Sequence, residues 1–176
     1  MSSELQSLEA TTSLWDWRRA IFEAYREVRE QADHPQAAWA KWRKVRSDLF
    51  RNHAQSPIAR DGRTSYDGPP FYSYDKRFRF AVDLTAPLDD EAINVPAGAD
   101  GTVSLKPFAR TSGLKNVLGG ELTLFWMQLY GGGVFLPFQD ATSNSATYGG
   151  GRYLLDTIKG ADLGSDSAGR VILDFN

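Results

Sequence analysis

From Ser13 to about Gln31 the apolar positions Leu14, Trp17, Ile21, Tyr25 and Val28 recur at intervals of three and four, the spacing of one helix face. Ser13 with Asp16 three residues later resembles a capping box with Asp in the Glu position. Asp33-His34-Pro35 ends this helix and opens a second, Pro35 being suited to a first helical position. In the second helix Ala38, Trp42, Val45 and Leu49 share one side, flanked by Trp39 and Phe50. Two such helices predict a helical hairpin, or two straps over a following sheet. Trp15, Trp17, Trp39 and Trp42 are read as packing residues, because aromatic side chains dominate burial. After Asn52 the turn signals Pro57, Asp61-Gly62, Asp67-Gly68 and Pro69-Pro70 mark a loop-rich stretch.

From Phe71 onward the period is two. Strands are predicted at Phe71–Tyr74, Phe78–Leu84, Thr102–Phe108, Leu122–Tyr130, Val134–Phe138, Gly151–Asp156 and Val171–Phe175, with a further candidate at Leu114–Leu118. The links Asp75-Lys76, Gly98-Ala99-Asp100-Gly101, Gly119-Gly120, Gly131-Gly132-Gly133 and Ala168-Gly169 are those of hairpins. Phe78, Phe80, Val82 and Leu84 alternate with polar or small residues, which predicts one buried face, whereas the nearly all-apolar Leu122–Tyr130 suits a central strand covered on both faces. Pro137 places its strand at an edge or a bulge. The expected fold is α+β and mainly β, an antiparallel meander curved into a barrel or sandwich with two amphipathic helices packed on it. We expect a helical appendage over residues 1–52 and a β domain over 53–176. Val171–Asn176 ends inside a strand, from which we expect the natural protein to continue.

Composition narrows the function classes. A chain of 176 residues buries about 70% of its unfolded surface on folding, enough for a core without covalent staples. There are no cysteines, so thiolate metal sites and cysteine nucleophiles are excluded. Lys and Arg number 20 against 22 Asp and Glu, dispersed, with net charge −2, and binding along a nucleic-acid backbone needs clustered basic residues. The helices are likewise balanced, with nine Lys or Arg against eight Asp or Glu in residues 1–56, unlike a basic membrane-surface helix. No apolar run nears the roughly 20 residues of a membrane span, and the start lacks the pattern of a signal peptide. We read the chain as soluble and cytoplasmic, with neither a nucleic-acid nor a membrane partner.

Polar groups with no evident structural duty concentrate in Val134–Thr157. Asp140, Thr142, Ser143, Asn144 and Ser145 form a dense polar turn, whose plain reading is side chains bonding their own backbone. Thr147-Tyr148-Gly149-Gly150-Gly151-Arg152-Tyr153 follows. Three glycines permit close backbone approach or positive φ, Tyr148 offers a hydroxyl, and Arg152 offers a planar fork for carboxylate or phosphate. The glycines open no helix, so this is neither a Walker loop nor a dinucleotide fingerprint. The structural alternative is an ion pair of Arg152 with Asp140 or Asp156. His34 and His53 lack metal-ligand spacing; they are read as a turn or cap residue and as a partner for a local carbonyl. No metal or cofactor is expected.

Phe138-x-Asp140-x-Thr142, Thr147-Tyr148-Gly149-Gly150-Gly151-Arg152-Tyr153-Leu154 and Leu173-Asp174-Phe175-Asn176, with Leu49-Phe50 before Ser56-Pro57-Ile58, resemble the prokaryotic family catalogued as domain of unknown function 1684. The resemblance runs over about residues 39–176. It implies kinship, with a bacterial source expected, and offers no activity, cofactor or partner to carry over. It also implies a Pro- and Cys-rich continuation after Asp-Phe-Asn and a glycine soon after Asp-x-Thr, where this chain has Ser143-Asn144-Ser145.

Three functions are compatible with these residues. The first is a module binding a small anionic ligand through Asp140, Thr142, Tyr148, Arg152 and Tyr153, with aromatic walls from Tyr74, Trp126 or Tyr130. The second is a metal-independent hydrolase using Asp140 or Asp156 as general base and Tyr148 as acid. The third is an interaction module, a homodimer in its simplest form, using the helices or a strand edge.

Overall fold

The computed structural model describes residues 3–98 and 101–176; the expected Gly98–Gly101 link has its two central residues outside that range. The chain divides into two compact units, Met1–Lys76 with Asn176, and Arg77–Phe175.

The first unit is built on α1 (Ser3–Glu30) and α2 (Pro35–Asn52). They run antiparallel, with Trp17 stacked on Phe50 at 5.8 Å and Tyr25 against Trp42 at 5.8 Å. Helix α1 begins ten residues before the predicted start, so Ser13 is no cap: its hydroxyl donates to the Ala10 carbonyl from within the helix. Asp16 instead faces Nε2 of His53 at 3.2 Å. His53 accepts the Gln55 amide proton at Nδ1, so its partners are an amide and a carboxylate rather than the expected carbonyl. His34 stands at the N-cap of α2 without a side-chain bond to it.

Residues 66–74 run back along α2. Tyr66 meets Phe50, Phe71 meets Trp42 and Tyr74 meets Trp39, at 6.2, 5.7 and 5.5 Å. The strand predicted at Phe71–Tyr74 is therefore absent: its aromatic residues pack on a helix, where no ladder partner exists, and Pro69-Pro70 just before it lack amide donors. The Asn176 side chain clamps Asp75, accepting its amide at 2.6 Å and donating to its carbonyl at 3.1 Å.

The second unit is an antiparallel sheet of β1 (Arg79–Thr85), β2 (Ile93–Pro96), β3 (Thr102–Ser112), β4 (Thr123–Met127), β5 (Gly133–Phe138), β6 (Arg152–Asp156) and β7 (Val171–Asp174), with a four-residue helix, α3 (Lys115–Leu118). The order is β6-β5-β4-β3-β1-β7, with β2 on β3. Strand β1 pairs with β7 through Arg79–Val82 and with β3 through Asp83–Thr85, a change of partner that bends the sheet. Phe138 of β5 meets Phe175, just past β7, at 5.2 Å. These strands are not ladder neighbours, so the sheet curls until its ends nearly close a barrel.

One core fills it: Val82, Ala109, Leu114, Leu124, Leu136, Leu155 and Leu173. Phe78 and Leu84, assigned to the buried face by alternation, lie at the ends of β1 and are exposed. Leu122–Tyr130 yields only a five-residue strand, β4. It is not covered on both faces: Trp126 and Leu129 are exposed and Tyr130 wholly so, because the second face of this strand stays open beyond the Phe108 contact. Leu114–Leu118 is helical rather than extended. Glu121 accounts for this, accepting the Gly113 and Lys115 amides at 2.9 Å each and the Thr111 hydroxyl at 2.7 Å. Among the described residues no helix is long and apolar enough to cross a membrane.

Candidate functional site

Strands β5 and β6 pair Phe138 with Arg152, Pro137 with Tyr153, Leu136 with Leu155 and Phe135 with Asp156. Leu154 is thus an extra residue, and the bulge falls beside Pro137, in an interior strand rather than an edge. Residues directly opposite in an antiparallel pair share a face. The bulge therefore puts both Leu155 and Arg152 on the side of Leu136 and Phe138, where strict alternation would have sent one of them outward.

At the end of this ladder the Arg152 guanidinium lies 4.7 Å over the Phe138 ring. Phe138 meets Phe175 edge-on, and Phe175 meets Phe80 in the same manner at 5.9 Å. Arg152 Nη2 pairs with Asp140 and reaches Thr142 Oγ1 at 3.4 Å. Its Nε is buried and has no hydrogen-bond acceptor among the described residues. Leaving such a donor unmatched costs about 1–3 kcal/mol.

The turn that presents Asp140 is held by Thr142. Its carbonyl accepts the amides of Ser145, Ala146 and Thr147, and its amide and hydroxyl donate to Asp140 Oδ1 at 2.8 and 2.5 Å. A hydroxyl has one proton and two lone pairs; with its proton on Asp140, Thr142 accepts from Arg152 and from the Thr147 hydroxyl at 2.9 Å. The Thr142 hydroxyl above all, then its amide and the Arg152 guanidinium, holds the Asp140 carboxyl below its ordinary pKa, against partial burial. Asn144 has φ 65°, and so supplies the left-handed residue for which a glycine would otherwise serve.

Close approach explains the triple glycine. A Cβ on Gly149 would stand 1.8 Å from Asn144 Oδ1, one on Gly150 2.4 Å from the Tyr148 ring, and one on Gly151 2.8 Å from the Phe138 carbonyl, the last at φ 86°. The Gln139 side chain closes the loop by donating to the Gly149 carbonyl at 3.0 Å.

The structure thus brings Asp140, Thr142 and Arg152 together. Tyr148 projects into solvent at 78% exposure. Tyr153 is on the outer face, its ring against Phe135 and beneath the Lys159 ammonium. Asp156 is 2% exposed, accepting the Lys159 amide and pairing with its ammonium at 2.8 Å. Asp156 and Arg152 are four residues apart on β6, about 13 Å of strand, and Asp140 lies beyond the Arg152 end, so the two carboxylates do not converge. Of the aromatic walls considered, Tyr74 packs on Trp39 in the first unit, Trp126 pairs with Val134 at the far end of β5 and Tyr130 is wholly exposed. The ring that does adjoin Arg152 is that of Phe138, which Phe175 meets edge-on. Sequence reasoning missed both rings because alternation alone does not reveal the bulge; the only available sign was Pro137.

Comparison with known proteins adds kinship. No curated protein matches the chain. Among solved structures, the solution NMR structure of the uncharacterized protein from gene locus rrnAC0354 of Haloarcula marismortui is similar, with 25% identity, a TM-score of 0.49, and coverage of 84% of this chain and 78% of that one. The model of the family described as "Protein of unknown function (DUF1684)" matches residues 64–176, more than half of the chain, and the chain belongs to that family.

Proposed function

We propose that the barrel is a binding module for a small anionic ligand, received by Arg152 with Asp140 and Thr142 beside the Phe138 and Phe175 rings. The observation that carries this reading is the buried Arg152 Nε, which lacks an acceptor among the described residues while Nη2 of the same group is engaged. A few convergent polar groups against an apolar wall are the ordinary ingredients of a small-molecule site. Asp140 occupies the guanidinium as a carboxylate would, and its side chain is 44% exposed. An incoming carboxylate or phosphate takes over that edge by displacing Asp140, and Tyr148, on the adjoining loop, is free to orient the rest of the molecule. Of the groups considered for hydrolysis, Asp156 is buried against Lys159 and Tyr148 stands out in solvent, so no reaction is assigned.

Titration of the 15N-labelled chain with small carboxylates and phosphates, followed at the Arg152 Nε–H resonance, tests the reading. Binding should be lost in Arg152→Gln and strengthened in Asp140→Asn, which removes the internal competitor. An Arg152 resonance indifferent to every anion, or an Asp140→Asn variant weakened as much as Arg152→Gln, would overturn it.

A further inference from the structure

Trp39, Arg43, Arg46 and Phe50 stand at i, i+4, i+7 and i+11 on α2, one continuous stripe of a helix. The stripe is aromatic at both ends and cationic in the middle. The Arg43 guanidinium lies over Trp39 at 4.7 Å and over Phe71 at 4.9 Å. That of Arg46 lies over Trp42 at 5.5 Å and over Phe50 at 4.9 Å. Both arginines are half-buried.

Stacking engages the faces of a guanidinium and leaves its N–H edges unused. Neither arginine makes a hydrogen bond or ion pair with any described residue, unlike Arg51 and Arg63 of the same unit, which donate to the carbonyls of Tyr66 and of Ile58 and His53. A third donor on the stripe, the Trp39 indole N–H, is buried and also has no acceptor among the described residues. Like charges three residues apart on one helix face repel, and no carboxylate of the described residues forms an ion pair with either. The stripe is thus rich in oriented donors and lacks an acceptor.

We infer that this stripe is an oxyanion site separate from Arg152, taking a phosphate group of at least two negative charges, such as a diphosphate, between the forks of Arg43 and Arg46. The aromatic rings hold the two planes in place, so little side-chain freedom is lost when the anion binds. The planar fork matches phosphate oxygens two at a time.

The test uses the full chain and inorganic pyrophosphate, read by calorimetry and by tryptophan emission, since Trp39 and Trp42 lie directly beneath the guanidiniums. Saturable binding that quenches or enhances tryptophan emission is expected, both in the wild-type chain and in an Arg152→Gln background that removes the other proposed anion site, and is weakened about tenfold or more by Arg43→Gln and by Arg46→Gln. Arg43→Lys and Arg46→Lys keep the charge and lose the fork; they should also weaken binding, and circular dichroism confirms that they are folded. Absence of saturation in the Arg152→Gln background, or unchanged affinity in the Gln or Lys variants of Arg43 and Arg46, would each overturn the assignment.

Discussion

Arg79 stands directly opposite Asp174 on the β1–β7 ladder, and its Nη1 donates to Asp174 Oδ2 at 3.1 Å, with side chains only 15% and 11% exposed. The pair lies at the seam where the barrel nearly closes, next to the Phe175 ring that meets both Phe80 and Phe138. Its three successive residues thus do three jobs: Asp174 pairs with Arg79, Phe175 fills the aromatic junction and Asn176 clamps Asp75. Replacing Asp174 by Ala leaves a poorly hydrated guanidinium, a change that costs about 3 kcal/mol in comparable buried pairs. Urea unfolding monitored by circular dichroism should show that loss as a lower midpoint; an unchanged midpoint would mean that water already serves Arg79.

The depressed Asp140 carboxyl gives a signed pH dependence. With its folded pKa below the unfolded value of about 3.9, its contribution is fully present above that value. It is lost as pH falls through the lower folded pKa. Thr142→Val removes the leading cause of the shift, so the 13C carboxyl titration of Asp140 should move upward in that variant. A midpoint that stays in place would assign the shift to the residue-142 amide and Arg152 instead.

Glu121 ties the end of β3 to the start of β4. Burial pushes its carboxyl up, but bonds from the Lys115 amide, the Thr111 hydroxyl and the neighbouring amides prevail and hold it below its ordinary pKa. Glu121→Ala should cost about 2 kcal/mol and speed hydrogen exchange at the Gly113 and Lys115 amides. The stability that this group provides likewise disappears only as pH falls through its lowered pKa.

The glycines of the 149–151 run should not be equally sensitive. At Gly151 a methyl group meets the Phe138 carbonyl and the backbone is left-handed, whereas at Gly149 it meets the movable end of Asn144. Gly151→Ala should therefore cost more than Gly149→Ala, by about 1 kcal/mol or more. Thermal unfolding of the two variants compares them directly, and equal losses would show that the Phe138–Arg152 end of the ladder yields.

Much of the fold was legible because it follows from local periodicity. The three-and-four spacing of Trp17, Ile21, Tyr25 and Val28 could only be a helix face, and the alternation around Phe80 and Val82 could only be a half-buried strand. Where the pattern misled, tertiary partners decided. Phe71–Tyr74 has strand-like residues but lies along α2, Leu114–Leu118 is wound into a turn of helix by Glu121, and Ile93–Pro96 pairs with β3 despite lacking a buried residue.

The turn residues, the triple glycine and the arginine after it were visible as a cluster, since their chemistry is carried by residue type. Which acid Arg152 would choose was not, because Asp140 and Asp156 are equivalent in the sequence. An inserted Leu154 settled it by turning Arg152 onto the face of Phe138, and the tight 156–161 turn gave Asp156 to Lys159. Periodicity and composition specify elements; the side to which a charged group points depends on a one-residue register shift that only the paired strands establish.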